Sequence, residues 1–253
     1  MITQKRFDLI IQLLKEKEFL TLQELIQMTG CSASTIRRDL SKLQKMGKLQ
    51  RVHGGATLKN TALSEPEMSE KKERNIQEKR EIGKLAAEQI EDRDCIYIDA
   101  GTTTFEMIDY IEAKEIVAVT NGLTHVEALL KRGIKTLIIG GDVKANTLAS
   151  VGPRAIETLK HYHFDKVFIG MNGIDTEGRL TTPDEQEAYV KENAMKVGQH
   201  IFVLIDSSKF GHTYFAGVSV NTKVPCDILT SAKALTRGDI KTYRNSYSII
   251  GGQ

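Results

Sequence analysis

The run AGTTTFEM, residues 100–107, places three consecutive hydroxyls after a glycine. Gly101 lets backbone approach a bound group closely. Thr102, Thr103 and Thr104 stand just before a predicted helix, whose N-terminal amides carry partial positive charge. Hydroxyls and amides that converge in this way suit a phosphate monoester. The pattern is not a P-loop, because G-x-x-x-x-G-K-[ST] is absent, and no G-x-G-x-x-G occurs, so no nucleotide cofactor is expected. Lys209, in DSSKF, can neutralise such an anion. Asp99, Asn121 and Asp175 can accept protons from sugar hydroxyls, as can Asp184, Glu185 and Glu187 of PDEQE. Two of these have a second reading of equal weight. Asp184 can be a helix N-cap after Pro183, and Glu185 can complement the helix dipole in the first turn.

A second chemistry sits in STIRRDL, residues 34–40. Ile36, Leu40 and Leu43 recur at i, i+4, i+7. At about 100° per residue, Arg38 and Ser41 fall opposite that apolar stripe and Arg37 falls on its flank. The helix thus hides its stripe and shows Ser34, Arg38 and Ser41, with Lys42 nearby. Ser32 and Thr35 add hydroxyls at its start. An arginine reads guanine through two bonds, and hydroxyls serve phosphates or base edges, so this face suits a DNA major groove. Asp39 is expected to support the arginines or to cap locally.

The elements that must position these groups follow from pattern. Residues 4–17 carry Leu9, Ile10, Leu13 and Leu14 at helical spacing. Thr21 opens a second helix with Glu24 three residues on, a capping box, and Gly30 stops it. With the arginine helix this makes a helix-turn-helix. KLQRVHGGA then alternates apolar and polar residues into a glycine turn, a two-stranded wing. Arg51 of the wing is placed to touch DNA backbone, and His53 either does the same or bonds locally in the turn. Charge agrees with a basic module: residues 1–60 hold eleven Lys/Arg against five Asp/Glu, although the whole chain of 253 residues carries only +2.

Residues 59–75 read as a connector, helical toward its end, between a domain at 1–58 and another at 76–253. From residue 76 onward, helices alternate with the short apolar strands CIYID, IVAVT, TLIIG, KVFIG and IFVLI. Helical segments are expected at 123–131, 153–161 and 184–199. Such alternation predicts an α/β domain with a mainly parallel sheet. Each strand ends in polar or glycine residues, among them Asp99, Asn121, Gly141, Asn172 and Lys209. In a parallel sheet those ends share one edge, where ligands bind. Residues 231–253 receive no assignment.

Other classes are excluded. No apolar run approaches the length of a membrane span, and the first thirty residues lack the order of a signal peptide, so a cytoplasmic protein without membrane contact is expected. Cys31, Cys95 and Cys226 lie far apart with no metal-ligand spacing, and the histidines of HYH, residues 161–163, do not share a helical face. No metal site is expected.

TIRRDLSKLQKMGKLQRVHGGA resembles the DeoR-type bacterial transcriptional repressors, and the likeness continues through DAGTTT, TNGLTHVEALL, FIGMNGID, GRLTTPDEQEAYVKENAM and DSSKF. The resemblance implies an α+β winged helix-turn-helix domain followed by an effector domain similar to ribose-phosphate isomerases. It implies double-stranded operator DNA and a phosphorylated sugar as partners, and a homodimer or homotetramer. Within the family the sequence looks most like fructose-operon repressors, so fructose 1-phosphate leads over tagatose 6-phosphate and glycerol 3-phosphate. The alternative is an isomerase with a DNA-binding appendage. The isomerase relatives carry paired aspartates after the strand equivalent to KVFIG, whereas MNGID here holds only Asp175. A regulator rather than an enzyme is therefore expected.

Overall fold

The structure is a computed structural model and describes residues 3–17, 19–52, 55–58, 68–220 and 223–252. His53 lies outside the described residues. The chain divides into two compact units, Met1–Thr61 and Ala62–Gln253.

The first unit runs α1 (Thr3–Lys17), β1 (Phe19–Thr21), α2 (Leu22–Thr29), α3 (Ala33–Lys45), β2 (Leu49–Val52) and β3 (Gly55–Leu58). Thr21 Oγ1 accepts from Glu24 N at 3.1 Å, and Glu24 Oε2 accepts from Thr21 N at 2.9 Å, so the capping box forms in full. Gly30 closes α2 in the left-handed region, at φ 67°, which glycine adopts without steric cost. Ser32 caps α3. One core, including Phe7, Ile10, Leu14, Leu25, Ile36, Leu40 and Leu43, holds the three helices to the sheet. That sheet has three strands in the order β1-β3-β2, all antiparallel. The wing is thus extended by β1, a three-residue strand that the sequence pattern did not announce.

The second unit opens with α4 (Met68–Glu73) and α5 (Ile76–Ala87), then β4 (Cys95–Ile98) and α6 (Thr102–Met107). Next come β5 (Val117–Thr120), α7 (Leu123–Lys131) and β6 (Lys135–Ile138). A hairpin of β7 (Asp142–Val143) and β8 (Ser150–Val151) precedes α8 (Pro153–Leu159) and β9 (Phe164–Gly170). Then follow β10 (Gly173–Ile174), β11 (Leu180–Thr182), α9 (Glu185–Lys196), β12 (Gly198–Leu204) and β13 (Ala216–Val218). The unit closes with β14 (Cys226–Thr230), α10 (Ala232–Leu235), α11 (Ile240–Tyr243) and β15 (Ser248–Gly251).

Seven of these strands form one sheet in the order β15-β14-β12-β9-β4-β5-β6, and every neighbouring pair is parallel. The residues left unassigned by sequence supply its last helices and β15. Alternate side chains enter opposite cores. Tyr97, Val167 and Val203 pack on one face with α8 and α9, while Ile96, Ile98, Phe168 and Phe202 pack on the other with α5. Two smaller antiparallel sheets, β10-β11-β13 and β7-β8, sit outside it.

Numbered along the chain, the large sheet reads 3-2-1-4-5-6-7 from its β6 end. Its order reverses between β4 and β9, the first and fourth strands. This is a topological switch point, and in an open parallel sheet the crevice at the strands' carboxyl ends lies there. Among the described residues, no helix is long and apolar enough to cross a membrane.

Candidate DNA-reading helix and ligand crevice

On α3, Arg37, Arg38 and Lys42 are exposed, as the periodicity requires. The hydroxyls at its start form a cluster. Ser32 Oγ accepts from Thr35 N at 3.3 Å and lies 3.0 Å from Ser34 Oγ and 2.9 Å from Thr35 Oγ1. Ser41 Oγ donates to Arg37 O and accepts from Arg51 Nη1, each at 2.8 Å. The wing arginine is therefore tied to the recognition helix rather than projecting alone. Asp39 departs from expectation. It is buried, and its carboxylate accepts from Arg6 of α1 through Nε and, at 3.1 Å, through Nη2. It supports neither Arg37 nor Arg38. The physical reason is its place beside the apolar stripe, three residues after Ile36, which turns it inward. That removes a carboxylate from a face meant for phosphate.

In the second unit, Asp99 directly follows β4 at the switch point and is buried. Its Oδ2 accepts from Gly170 N at 3.1 Å and from Lys191 Nζ, and Lys191 Nζ also donates to Gly170 O at 3.0 Å. Lys191 lies on α9 and is itself 5% exposed. The sequence reading missed it, because a lysine on an amphipathic helix ordinarily faces water. Gly101 and Gly170 face one another across the switch, with Cβ atoms added to either meeting the other's Cα at 3.6 Å.

Thr102–Thr104 are the first turn of α6, not the residues before it, and Gly101 is its N-cap. Their hydroxyls differ. Thr104 Oγ1 is fully buried, donates to Asp99 O at 2.5 Å and accepts from Gly101 N at 3.0 Å. It lies 3.3 Å from His125 Nε2. Thr102 and Thr103 make no side-chain hydrogen bond among the described residues. His125 is fully buried, and burial pushes its pKa down to about 3, so the ring is neutral.

Several expected hydroxyl acceptors are already engaged. Asn121 Oδ1 accepts from Ala100 N at 2.9 Å, and its Nδ2 donates to Ser150 O at 3.3 Å. Asp175 accepts from Glu177 N and Arg179 N, both at 2.9 Å, and from Arg179 Nε at 2.7 Å. Burial alone would raise its pKa, but Arg179 and the turn amides hold it below the usual carboxylate range. Asp184 caps α9, accepting from Glu187 N at 2.9 Å, and pairs with Lys144 at 3.1 Å. The cap among its two readings is thus formed, through Oδ1. Glu187 accepts from Lys144 Nζ at 2.8 Å and Thr147 Oγ1 at 2.9 Å, clasping the loop that follows β7. Asn172 Oδ1 accepts from Thr182 Oγ1 at 2.9 Å. Gly141 lies in the turn before β7, where a Cβ would meet Val151 O at 2.3 Å. Glu185 is exposed.

Lys209 follows β12 in the 3-10 turn Ser207–Lys209. Burial pushes the pKa of Asp206 up, but the charge of Lys209, hydrogen bonds from the Ser208 hydroxyl and amide, and the charge of Lys79 hold it below the usual carboxylate range. Asp206 Oδ1 accepts from Asn75 Nδ2 at 3.0 Å, just ahead of α5. Burial lowers Lys79 to about 8, and its ammonium donates to Lys71 O. Glu78 beside it accepts from Ser207 N, Ser207 Oγ, Ser231 Oγ and Lys233 Nζ. The start of α5 is thereby fastened to the loops after β12 and β14.

A basic helix-turn-helix joined to a parallel sheet with a polar switch-point edge defines a DNA-binding regulator with a ligand-sensing domain. Comparison with known proteins agrees. A DeoR-like helix-turn-helix domain matches residues 6–62, and a DeoR C terminal sensor domain matches residues 74–226. The chain is 45% identical over 231 residues to the "Uncharacterized HTH-type transcriptional regulator FruR" of Bacillus subtilis, covering 90% of this chain and 92% of that one. It is 34% identical to a "Lactose phosphotransferase system repressor" of Staphylococcus epidermidis, covering 83% of this chain and 85% of that one. This chain belongs to the DeoR family of transcriptional regulators. Among solved structures, a ribose 5-phosphate isomerase from Methanocaldococcus jannaschii aligns at 16% identity and a TM-score of 0.41, over 54% of this chain and 55% of that one. The fold itself rests on strand order.

Proposed function

We propose that this protein represses a sugar-metabolism operon and that a phosphorylated sugar, with fructose 1-phosphate the first candidate, modulates its hold on operator DNA. The observation that carries the reading is the contrast within the GTTT turn at the switch point. Thr102 and Thr103 keep their hydroxyls unengaged beside Asp99, Thr104 and Asn121, which are buried and bonded, and Lys209 stands on the same edge. The fructose 1-phosphate assignment rests on the resemblance of the sequence to fructose-operon repressors. In this reading residues 1–58 bind DNA, 59–75 connect, and 76–253 sense, in a cytoplasmic homodimer or homotetramer. Ser32, Ser34, Thr35, Arg37, Arg38, Ser41, Lys42, Arg51 and His53 line the DNA face. Thr102, Thr103 and Lys209 hold the phosphate, while Asp99 and Asn121 hold the loops that shape its seat.

A ligand that changes operator affinity must have its own affinity changed by operator DNA by the same factor. Calorimetry of the full chain with fructose 1-phosphate, tagatose 6-phosphate and glycerol 3-phosphate, each with and without operator DNA, tests the reading. One of the three should bind, and operator DNA should change its affinity by the factor with which it changes operator affinity. Binding of none, or binding with no effect on DNA, rejects the proposal.

A further inference from the structure

The seven-stranded sheet ends differently on its two sides. At one side α10 packs on β15, so closely that a Cβ on Gly251 would meet Leu235 Cδ1 at 2.3 Å. At the other side no described strand pairs with the outer edge of β6. Leu137 and Ile138 of that strand are 36% and 48% exposed. Consecutive strand residues point to opposite faces, so the edge is apolar and open on both.

The exposure continues onto the neighbouring elements. α7 packs beside β6 and carries Leu123 and Leu130, seven residues apart and on one face. Both are exposed. Val143 and Leu148 are exposed in the hairpin that follows, and Leu123 N donates to Leu148 O at 3.0 Å, joining hairpin to helix. Of eleven exposed large apolar side chains among the described residues, these six fall within residues 123–148. Single exposed leucines are ordinary, whereas such clustering marks an interaction surface. The ion pair of Glu127 with Lys131, at 2.6 Å, supplies a polar rim beside Leu130.

Edge strands usually resist pairing through charge, proline or a bulge. β6 reads KTLI and has a single charge, on its first residue. We infer that β6, with the α7 leucines and the β7–β8 hairpin around it, is the surface through which two copies of this chain associate. A second copy fits for two reasons. Two identical open edges satisfy each other's backbone groups, and an isologous contact needs a self-complementary patch. The area also suffices: six such side chains expose on the order of 500 Å² per protomer, so a pair buries about 1,000 Å² from them alone, the scale of a specific interface. The inference rests on the proposed reading of a regulator that works as a homodimer or homotetramer, but its measurement needs neither DNA nor sugar.

Sedimentation velocity on the full chain at micromolar concentration tests it. The wild type should sediment at twice the protomer mass or more. Ile138→Lys combined with Leu130→Glu should weaken association about a hundredfold or more. Leu130→Glu alone, on the solvent side of its helix, should weaken it less and leave the far-ultraviolet circular dichroism spectrum unchanged. Tyr189→Glu with Phe215→Glu, exposed elsewhere, should keep the wild-type mass. A monomeric wild type, an unweakened double variant or Leu130→Glu, or dissociation by the Tyr189 and Phe215 changes alone overturns the interface. Dimers that fail to bind any operator would sink the functional reading and leave the interface standing.

Discussion

The outward face of α3 and the carboxyl edge of the large sheet are both polar, yet they are built in opposite ways. On α3, Arg37, Arg38 and Lys42 reach solvent. At the sheet edge, Asp99, Thr104, Asn121, Asp175, Glu187 and Asp206 are buried and bonded to protein groups. The difference reflects the partner each must meet. DNA is a rigid polyanion that extended, solvated cations can reach and follow. A small ligand needs a seat that keeps its shape when empty, and buried polar groups keep a shape only when they are mutually satisfied.

The largest effect tests the fixed edge. Asp99→Ala removes the carboxylate that holds buried Lys191 and should cost about 3–5 kcal/mol of stability in urea titration. Replacing both partners with apolar residues, Asp99→Leu with Lys191→Met, should recover most of that loss. Equal losses in both variants would show that the pair does not act as a unit.

Next, the two kinds of hydroxyl within one turn should separate. Thr103→Val should leave the melt nearly unchanged and cost about 1.5–3 kcal/mol of sugar-phosphate affinity, the worth of a bond to a charged group. Thr104→Val, which loses its bond to Asp99 O, should lower stability first. Calorimetry and melting on both proteins decide it, and the reverse assignment would break the contrast between open and engaged groups.

On the DNA side, Arg38→Ala should cost about 1–3 kcal/mol of operator affinity at fixed salt and relax sequence preference. The fold should not notice, because Arg38 is exposed. Unchanged operator affinity in a gel shift would remove Arg38 from the reading face.

The smallest effect is a pH dependence confined to the sensor unit. His125 titrates near 3 when folded and near 6.5 when unfolded. As pH falls below about 6.5 the unfolded chain takes up a proton that the folded chain refuses, so stability drops. Between pH 7 and 5.5 the loss is about 1 kcal/mol. His125→Gln should flatten that part of the profile, as read from urea midpoints, and an unaltered slope would show that the ring is accessible to protons.

Much of this was legible in the sequence because its causes are local. The Thr21–Glu24 box, the Gly30 stop and the Ile36, Leu40, Leu43 stripe each operate within a turn or two of helix, and all are found in place. The parallel strands with polar ends were legible because buried strands are continuous apolar runs. What stayed hidden depends on pairing across the chain. Lys191 meets Asp99 from 92 residues away, and Arg6 meets Asp39 from 33. Neither distance leaves a periodic trace. Asp39 is the instructive miss, since its place beside the apolar stripe already turned it inward. β15 escaped because a four-residue edge strand, SIIG, is too short to stand out from a loop.

The fastening of Glu78 to Ser207, Ser231 and Lys233 has a consequence for the order in which the protein is made. Among the described residues, the buried core of the first unit extends no further than Ala56, so its reading helix has its partners soon after the first sixty residues leave the ribosome. The partners of Glu78 arrive among the last. At about 5–20 residues per second, some 10–40 s of translation separate the two. During that interval the nascent chain carries the helix-turn-helix unit without a completed second unit.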